Sequence, residues 1–463
     1  MAEPLSRAET SAFAPGGRRF SGTDRRAPLR AALMRSGQFD AEQTAGRFYP
    51  VACVALEVTQ RCNLDCTLCY LSDSAEMAHD VPLQVLFNRI GMIESHYGSR
   101  TSIQITGGDP TLRSIADLEA LCREIRRRGM RSCLMTNGIR ASSDLLARLA
   151  VAGLNDVAFH VDLTQERRGY PTEVSLNAVR EEYMARVGSL PLRVMFNTTV
   201  FDGNLAEIPA LARFFRDHAA EIALASFQLQ ANTGRGVPRK RGPAITQASV
   251  MAAMAQGVAT PIDFDVAAVG HARCNRYASI LVAGDQAVSA LGDAALFSEI
   301  FPALERVERG RDAYLDLRRT ALRLALARPW LALRTFRHGL YLIWRLRTGL
   351  LASRGRVHRL GILVHSFMDS GHLERDRCDS CIFMAATEDG PLCMCVHNAR
   401  RDHYLSAPAR LAGPDGPSWW SAATGLVTDR PRRADFGRPP FKHLKGRLRT
   451  LADRKRRLTS EAS

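Results

Sequence analysis

The residues of this 463-residue chain best suited to chemistry are three cysteines in the run Cys62-Asn63-Leu64-Asp65-Cys66-Thr67-Leu68-Cys69-Tyr70. Their C-x3-C-x2-C spacing follows directly on the apolar, β-prone run VACVALEVT at 51–59. Three thiolates on one short loop can hold three irons of a cubane cluster and leave the fourth iron open. An open iron binds a small molecule, so such a site can do chemistry as well as carry electrons. Structural zinc competes for the same thiolates, but tetrahedral zinc takes a fourth protein ligand and usually paired C-x2–4-C knuckles. A chance grouping of buried cysteines is the third reading. Later in the chain Cys378, Cys381, Cys393 and Cys395 read C-x2-C-x11-C-x-C, and Cys274 adds a fifth thiol. Five thiols suffice for a second cluster with one to spare, a zinc knuckle being the alternative. Cys53, Cys122 and Cys133 fall at periodic apolar positions and read as packing residues.

Other polar residues stand where strands should end. In Thr106-Gly107-Gly108-Asp109-Pro110, two glycines let the backbone come close to a ligand, and amides plus a carboxylate can grip a charged amine. An isolated Gly-Gly turn would have no such meaning. Thr136-Asn137-Gly138 offers a hydroxyl and an amide to a ribose or substrate, or is a plain Asn-Gly turn. His160 and Asp162 lie two apart and should face one side of a strand. Asp162, at the strand end, is the candidate catalytic group, and His160 reads equally as a core histidine. Asn197 is similar in kind to these. Arg235 can pair with a ligand's carboxylate or a substrate anion, or is an ordinary loop arginine.

The elements that must hold these residues alternate regularly. Strand-like runs at 52–59, 102–106, 131–136, 156–162, 192–200 and 223–230 are separated by helix-like runs at 83–96, 114–128, 142–151, 175–187 and 205–218. That pattern predicts an α/β fold, a parallel sheet curled into a partial (βα)6, TIM-like barrel with its chemistry at the C-terminal strand ends. The breaker-rich stretch GRGVPRKRGP at 234–243 closes the barrel segment, taken as 47–243. A cysteine-bearing auxiliary domain is expected over 244–405, with a disordered segment at 1–46 and a basic, poorly ordered tail at 406–463.

With these residues in place, the chain resembles the radical S-adenosylmethionine (SAM) superfamily over about 52–235, with a weaker cysteine-rich continuation to about 398. The resemblance implies that Cys62, Cys66 and Cys69 ligate a [4Fe–4S] cluster whose open iron is chelated by the amino and carboxyl groups of SAM. It also implies that Gly107, Gly108 and Asp109, in place of that family's Gly-Gly-Glu-Pro, bind the amino group of SAM. The residue before the third cysteine, usually aromatic in the family, is Leu68 here, and Tyr70 follows the cysteine. Ser226–Arg235 (SFQLQANTGR) and Phe367-Met368-Asp369 followed by Asp389-Gly390-Pro391-Leu392-Cys393 look like segments of the subgroup containing archaeal tetraether lipid synthase and pterin-modifying methyltransferases. Asn137, from its place at a strand end, and Arg235, within the resembling segment, are the further cofactor-binding candidates. The resemblance also implies an auxiliary [4Fe–4S] cluster at the late cysteines and a reduced flavodoxin or ferredoxin as electron donor. That subgroup's N-terminal cysteine-rich ribbon has no counterpart, since no cysteine precedes Cys53.

The formal net charge of +16 is uneven. Residues 311–359 hold twelve arginines against Asp312 and Asp316, and residues 431–463 hold eleven Lys/Arg against Asp435, Asp453 and Glu461. Within 314–351 the arginines are mixed with Leu, Trp330, Phe336, Tyr341 and Trp344, which predicts one or two amphipathic helices broken near Pro329. Such a surface suits an anionic bilayer, a solvated helix face or nucleic acid; the Leu/Trp density favours lipid, and no nucleic acid is expected. There is no basic-then-apolar leader and no run of uncharged apolar residues long enough to span a bilayer, so a reducing cytoplasm is the expected compartment. The functional expectation is reductive cleavage of SAM to a 5′-deoxyadenosyl radical that activates a C–H bond. The substrate is expected to be a membrane-lipid acyl chain, undergoing C–C joining or methylation. A peptide-modifying maturase is the rival, and a non-catalytic metal protein binding RNA is the reading from a different class.

Overall fold

The computed structural model describes residues 51–436, apart from 100, 236–239, 268, 305–312 and 414–415. The segment 1–46 and the basic run at 442–457 lie outside the described residues. Six strands, β1 (Cys53–Thr59), β2 (Ser102–Gly107), β3 (Arg131–Thr136), β4 (Asp156–His160), β5 (Arg193–Val200) and β6 (Ile222–Leu229), pair side by side in that order, all parallel. Between them run α1 (Leu83–Tyr97), α2 (Ile115–Arg127), α3 (Ser143–Ala152), α4 (Asn177–Val187) and α5 (Ile208–Asp217). Serines start two of these helices: Ser114 accepts from the Asp117 amide and Ser142 from the Leu145 amide. The stripe Leu118, Leu121, Cys122 and Ile125 turns α2 onto the sheet.

Strand alternation then sorts the residues into two layers. Val54, Leu56, Val58, Ile103, Ile105, Leu134, Val157, Phe159 and Val194 fill the layer under the helices. Their neighbours Ala55, Glu57, Gln104, Met135, Ala158, His160, Met195 and Asn197 face the barrel interior. Of the three cysteines expected to be packing residues, Cys122 sits in the helix–sheet layer, whereas Cys53 and Cys133 face the interior. Their apolar periodicity matches either face of a strand buried on both sides, so spacing alone did not choose between them.

The boundary expected between barrel and auxiliary domain does not divide the sheet. After α6 (Gln247–Val258) come the antiparallel pair β7 (Asn275–Ala283) and β8 (Gln286–Ser289), then α7 (Ala294–Leu304), α8 (Ala313–Ala327), α9 (Pro329–Arg345) and α10 (Arg347–Ala352). The expected break at Pro329 separates α8 from α9. Next, β9 (His358–Ser366) joins β6 in parallel and, after α11 (Arg375–Asp379), β10 (Phe383–Ala386) joins β1 in parallel. The parallel run is thus β10-β1-β2-β3-β4-β5-β6-β9, with β7 and β8 beyond one end and β11 (Pro391–Cys393) beyond the other. The residues assigned to an auxiliary domain extend both edges of the barrel sheet and cover strands that would otherwise be open. Finally α12 (Met394–Ala399) and α13 (Arg401–Leu405) lead into an antiparallel sheet of β12 (Ala409–Gly413), β13 (Gly416–Trp420) and β14 (Val427–Thr428). Over residues 406–436 the expectation of poor order is therefore corrected, since Ala409 pairs with Trp420 and both are buried; residues 437–463 lie outside the described residues.

Candidate active site

The cysteine loop leaves the C-terminal end of β1 and is fastened on several sides. The Thr67 amide donates to the Thr164 carbonyl at 2.8 Å, beyond β4. The Asn137 amide group, beyond β3, reaches Asn63 Oδ1 at 2.6 Å and stands 3.9 Å from Cys62 Sγ. Beyond β6, the Arg235 amide donates to Leu71 O at 2.7 Å, while its guanidinium pairs with Glu76 at 2.5 Å and bonds to Cys69. The Tyr70 hydroxyl donates to the Gly107 carbonyl. Cys62, Cys66 and Cys69 themselves stay partly exposed. Burial pushes the Cys62 thiol up to about 11, and burial with the neighbouring Cys69, Asp162 and Cys62 raises Cys66 well above its ordinary value. Cys62 and Cys66 would hold their protons without a strongly positive partner, which a metal cluster supplies. Donor chemistry and surroundings fit a cluster: three thiols on one loop, an arginine donating to one sulfur, an amide close to another. Among the described residues, no group of three or more His, Cys, Asp or Glu side chains could hold a single metal ion. A cubane spreads its thiolates around several irons, so the two observations are compatible.

The Gly107-Gly108-Asp109 turn lies beside this loop, but its parts do other work than expected. Gly107 has φ +132°, and a Cβ on it would stand 1.9 Å from Thr59 O; one on Gly108 would stand 2.0 Å from Arg61 O. The glycines let the end of β2 press against the chain leading into the cysteine loop. That contact is sealed by Gly108 N donating to Thr59 O at 2.9 Å and Asp109 N to Arg61 O at 2.8 Å. Asp109, expected to face the amine of SAM, is fully buried and saturated by protein donors. It accepts from Thr111 N at 3.0 Å, Thr111 Oγ1 at 2.5 Å, Thr136 Oγ1 at 2.8 Å and Asn137 N at 2.8 Å. It ties β2 to β3, and the open side of the turn is backbone.

His160 and Asp162 exchange their expected places. Regular pairing of β4 ends at His160, and Asp162 then caps a short 3-10 turn, Leu163–Gln165. Its carboxylate is fully buried and accepts from Thr164 N at 2.9 Å, Thr164 Oγ1 at 2.5 Å and Thr199 N at 2.8 Å, with His160 Nε2 at 2.6 Å. It does not line the barrel cavity; His160 does. The other ring nitrogen, Nδ1, is 3.0 Å from the Asn197 amide. Against burial, which works in the opposite direction in both groups, the pairing holds Asp162 down to about 2 and raises His160. Beneath this turn, Arg180 and Glu173 form a fully buried ion pair, with Arg180 also donating to Val161 O at 2.9 Å and Glu173 accepting from Leu163 N at 3.1 Å.

Under the loop the barrel is hollow. A cavity of about 410 Å³ runs from Leu68 and Tyr70 down between the strands. Closed barrels of this kind usually fill their interior with bulky branched side chains. Here the inward positions include Cys53, Ala55, Ser102, Cys133, Ala158 and Ser226, which leave space. Polar groups gather near the mouth: Glu57, His160, Asn197, Thr199, Gln228 and His365. The middle is apolar, with Met135, Ala158, Met195 and Leu224 paired across β3–β6. At the far end Asp156 is held by Arg193 at 2.6 Å and Arg131 at 3.2 Å.

Glu57, His365 and Arg401 were not singled out from sequence. Arg401 pairs with Glu57 inside the mouth, and its guanidinium lies 4.6 Å from the centre of the Tyr70 ring. Although burial works the other way, Arg401 and His397 hold Glu57 down to about 2. Burial and the nearby His160 push His365 down to about 4. A single acid inside the apolar β1 run was the available signal for Glu57; nothing local marked Arg401.

The late cysteines flank the same cavity. Cys393 contacts Cys378, Cys381 and Cys395, and Cys378, Cys393 and Cys395 are buried. Their neighbours Phe383, Met394 and Asn398 line the cavity wall. Cys274 accepts from Arg377 Nε at 3.1 Å and lies within electrostatic reach of Cys395 and Cys381.

Residues 56–215 match the Radical SAM superfamily. The chain is 30% identical over 168 residues to the PqqA peptide cyclase of Methylorubrum populi, covering 35% of this chain and 41% of that protein. It is 25% identical over 188 residues to the tungsten-containing aldehyde ferredoxin oxidoreductase cofactor-modifying protein of Pyrococcus furiosus, covering 37% of this chain and 50% of that one. The chain therefore spans half or less of the length of these two relatives. A solved structure of native anSMEcpe with bound AdoMet aligns over 44% of this chain and 57% of that one, with TM-score 0.35 and 16% identity. Residues 56–215, which carry the cysteine loop and strands β2 to β5, are thus similar to a radical SAM domain, a family whose cofactors are a [4Fe–4S] cluster and S-adenosylmethionine.

Proposed function

We propose that the chain is a radical SAM enzyme acting on the acyl chain of a membrane lipid, by C–C bond formation or methylation. The observation that carries this reading is the cavity: apolar in its middle, opening on Leu68 and Tyr70 of the cysteine loop, and kept open by small inward residues. An extended hydrocarbon fits the apolar middle of such a lumen. Bound SAM on a reduced cluster supplies one-electron cleavage of a C–S bond and, from it, hydrogen abstraction at an unactivated carbon. The electron comes from a reduced flavodoxin or ferredoxin.

The chain's own residues have separable tasks. Cys62, Cys66 and Cys69 hold the cluster, and the backbone at Gly107–Gly108 borders the place for the amino acid part of SAM. Asn137 and Arg235 fix the loop that carries the thiolates. Arg401 closes the mouth over Tyr70 and Glu57, which keeps water from the lumen. His160, oriented by Asp162 and Asn197, is the group at the mouth placed to give or take a proton from substrate. Cys378, Cys381, Cys393 and Cys395 hold a second cluster beside the cavity wall.

The test is anaerobic reconstitution with iron, sulfide, SAM and dithionite, followed by lipid analysis of deletion and wild-type cells. Formation of 5′-deoxyadenosine with an altered lipid profile supports the proposal; 5′-deoxyadenosine with unchanged lipids overturns the lipid reading. A peptide substrate is the second reading, favoured by the matched relative whose name is a peptide cyclase. It would be detected as a mass change in a small peptide encoded nearby.

A further inference from the structure

Helix α9 turns two unlike faces in opposite directions. Toward the body, Leu331 is buried, Arg334 pairs with Glu299 at 2.9 Å and Asp293 at 3.4 Å, and His338 Nε2 lies 3.1 Å from Ala290 O. Away from it, Trp330, Leu333, Phe336, Leu340 and Ile343 recur every three or four residues with Trp344 next to the last, and each is between 45% and 67% exposed. Leu322 and Leu326 on α8, 62% and 76% exposed, add to the apolar surface. Large contiguous apolar patches on a protein surface mark an interaction site.

Charge identifies what would cover it. Residues 313–357 contain ten arginines, and Asp316 is their one acid. Arg337 and Arg347 are exposed on α9 and α10, and the guanidinium of Arg347 lies 4.8 Å from the centre of the Trp344 ring. A second copy of this chain would bring the same arginines against themselves. An anionic lipid surface matches the charge, accepts the apolar stripe between its headgroups, and suits tryptophans, whose rings favour the interface. No described helix is long and apolar enough to cross a membrane, so the fitting geometry is helices lying in the surface plane. We infer that α8–α10 dock the protein on an anionic bilayer through the Trp330–Phe336–Trp344 face. Arg334, committed to Asp293 and Glu299, belongs to the anchoring of α9 rather than to the lipid contact.

The inference is independent of the substrate, and its test measures binding rather than turnover. Full-length holoprotein is co-sedimented with vesicles of phosphatidylcholine alone or with phosphatidylglycerol added, at low and high salt. Binding is expected to the anionic vesicles, falling as salt rises. The variant W330S/F336S/W344S should bind on the order of 100-fold more weakly, and R337Q/R347Q on the order of tenfold more weakly with a shallower salt dependence. Both should keep wild-type SAM cleavage in solution, since neither touches the barrel mouth. Equal sedimentation with neutral and anionic vesicles, or a serine variant that binds as wild type, overturns the proposal. So does a wild-type dimer in sedimentation velocity that the serine variant abolishes, which would assign the face to a second copy.

Discussion

The two cysteine groups both border the cavity through their neighbours and are built on opposite plans. Cys62, Cys66 and Cys69 share one loop, remain partly exposed, and look out at the mouth of the cavity. The late cysteines come from α11, β11, α12 and the chain before β10; three of them are buried, and they pack with Met368, Leu373, Leu392 and Val396. An exposed trio on one loop suits a metal centre that must admit a ligand. A largely buried quartet from several elements suits one that passes electrons or holds structure.

Replacing Cys62, Cys66 and Cys69 together by Ala should abolish 5′-deoxyadenosine formation. It should leave about four irons per chain if the late thiols hold a cubane. Residual zinc and no iron in that variant would break the comparison from the late side. A milder break is expected at Arg401, where the segment after the late cysteines reaches over to the mouth. Arg401→Met strands the buried Glu57 carboxylate and should cost about 3 kcal/mol in urea unfolding at pH 7. Because Glu57 is held down to about 2 in the folded protein, its pairing contributes above the unfolded carboxylate value and is lost as pH falls. The deficit of the variant should therefore shrink as unfolding is repeated from about pH 5 down toward about pH 2.

Asp109→Asn probes whether the turn beside the trio binds or only braces. The buried side chain would keep some acceptor capacity but meet donors with an NH2, at a cost of about 2 kcal/mol. Cluster content and SAM affinity should fall together, because the carboxylate holds β2 to β3. Loss of SAM affinity at full cluster content would restore a direct contact. The smallest effect is expected at His160, whose imidazole should titrate above its ordinary value in NMR spectra of the folded protein. Asp162→Asn should move that midpoint down. The sign follows from the raised value: the His160–Asp162 pairing stabilises the fold at low pH and fades as pH rises through the folded midpoint.

What the sequence disclosed was what neighbours in the chain decide. The six strand–helix repeats and the cysteine trio are local patterns, and strands β1 to β6 fall within a residue or two of the expected bounds. The addition of β9 to β6 and of β10 to β1 was hidden, because the partner of a strand is chosen by the shape of the assembled sheet. The exchange between His160 and Asp162 has a smaller cause. Alternation places residues only while the strand lasts, and β4 stops at His160. The small sheet of β12–β14 was hidden by a Pro/Gly/Arg-rich composition, although Trp419 and Trp420 lie within it.

The join of β10 to β1 also sets an order of events during synthesis. Glu57 and its partner Arg401 are 344 residues apart in sequence. At roughly 5–20 residues per second, β1 leaves the ribosome tens of seconds before the segment that covers its edge and mouth. During that interval an apolar parallel edge stands uncovered and the three loop thiols lack the segment that roofs the mouth. Aggregation and oxidation of nascent chains should therefore be the characteristic failure of heterologous production. Truncations ending before Phe383 should be less soluble than the full chain for that reason.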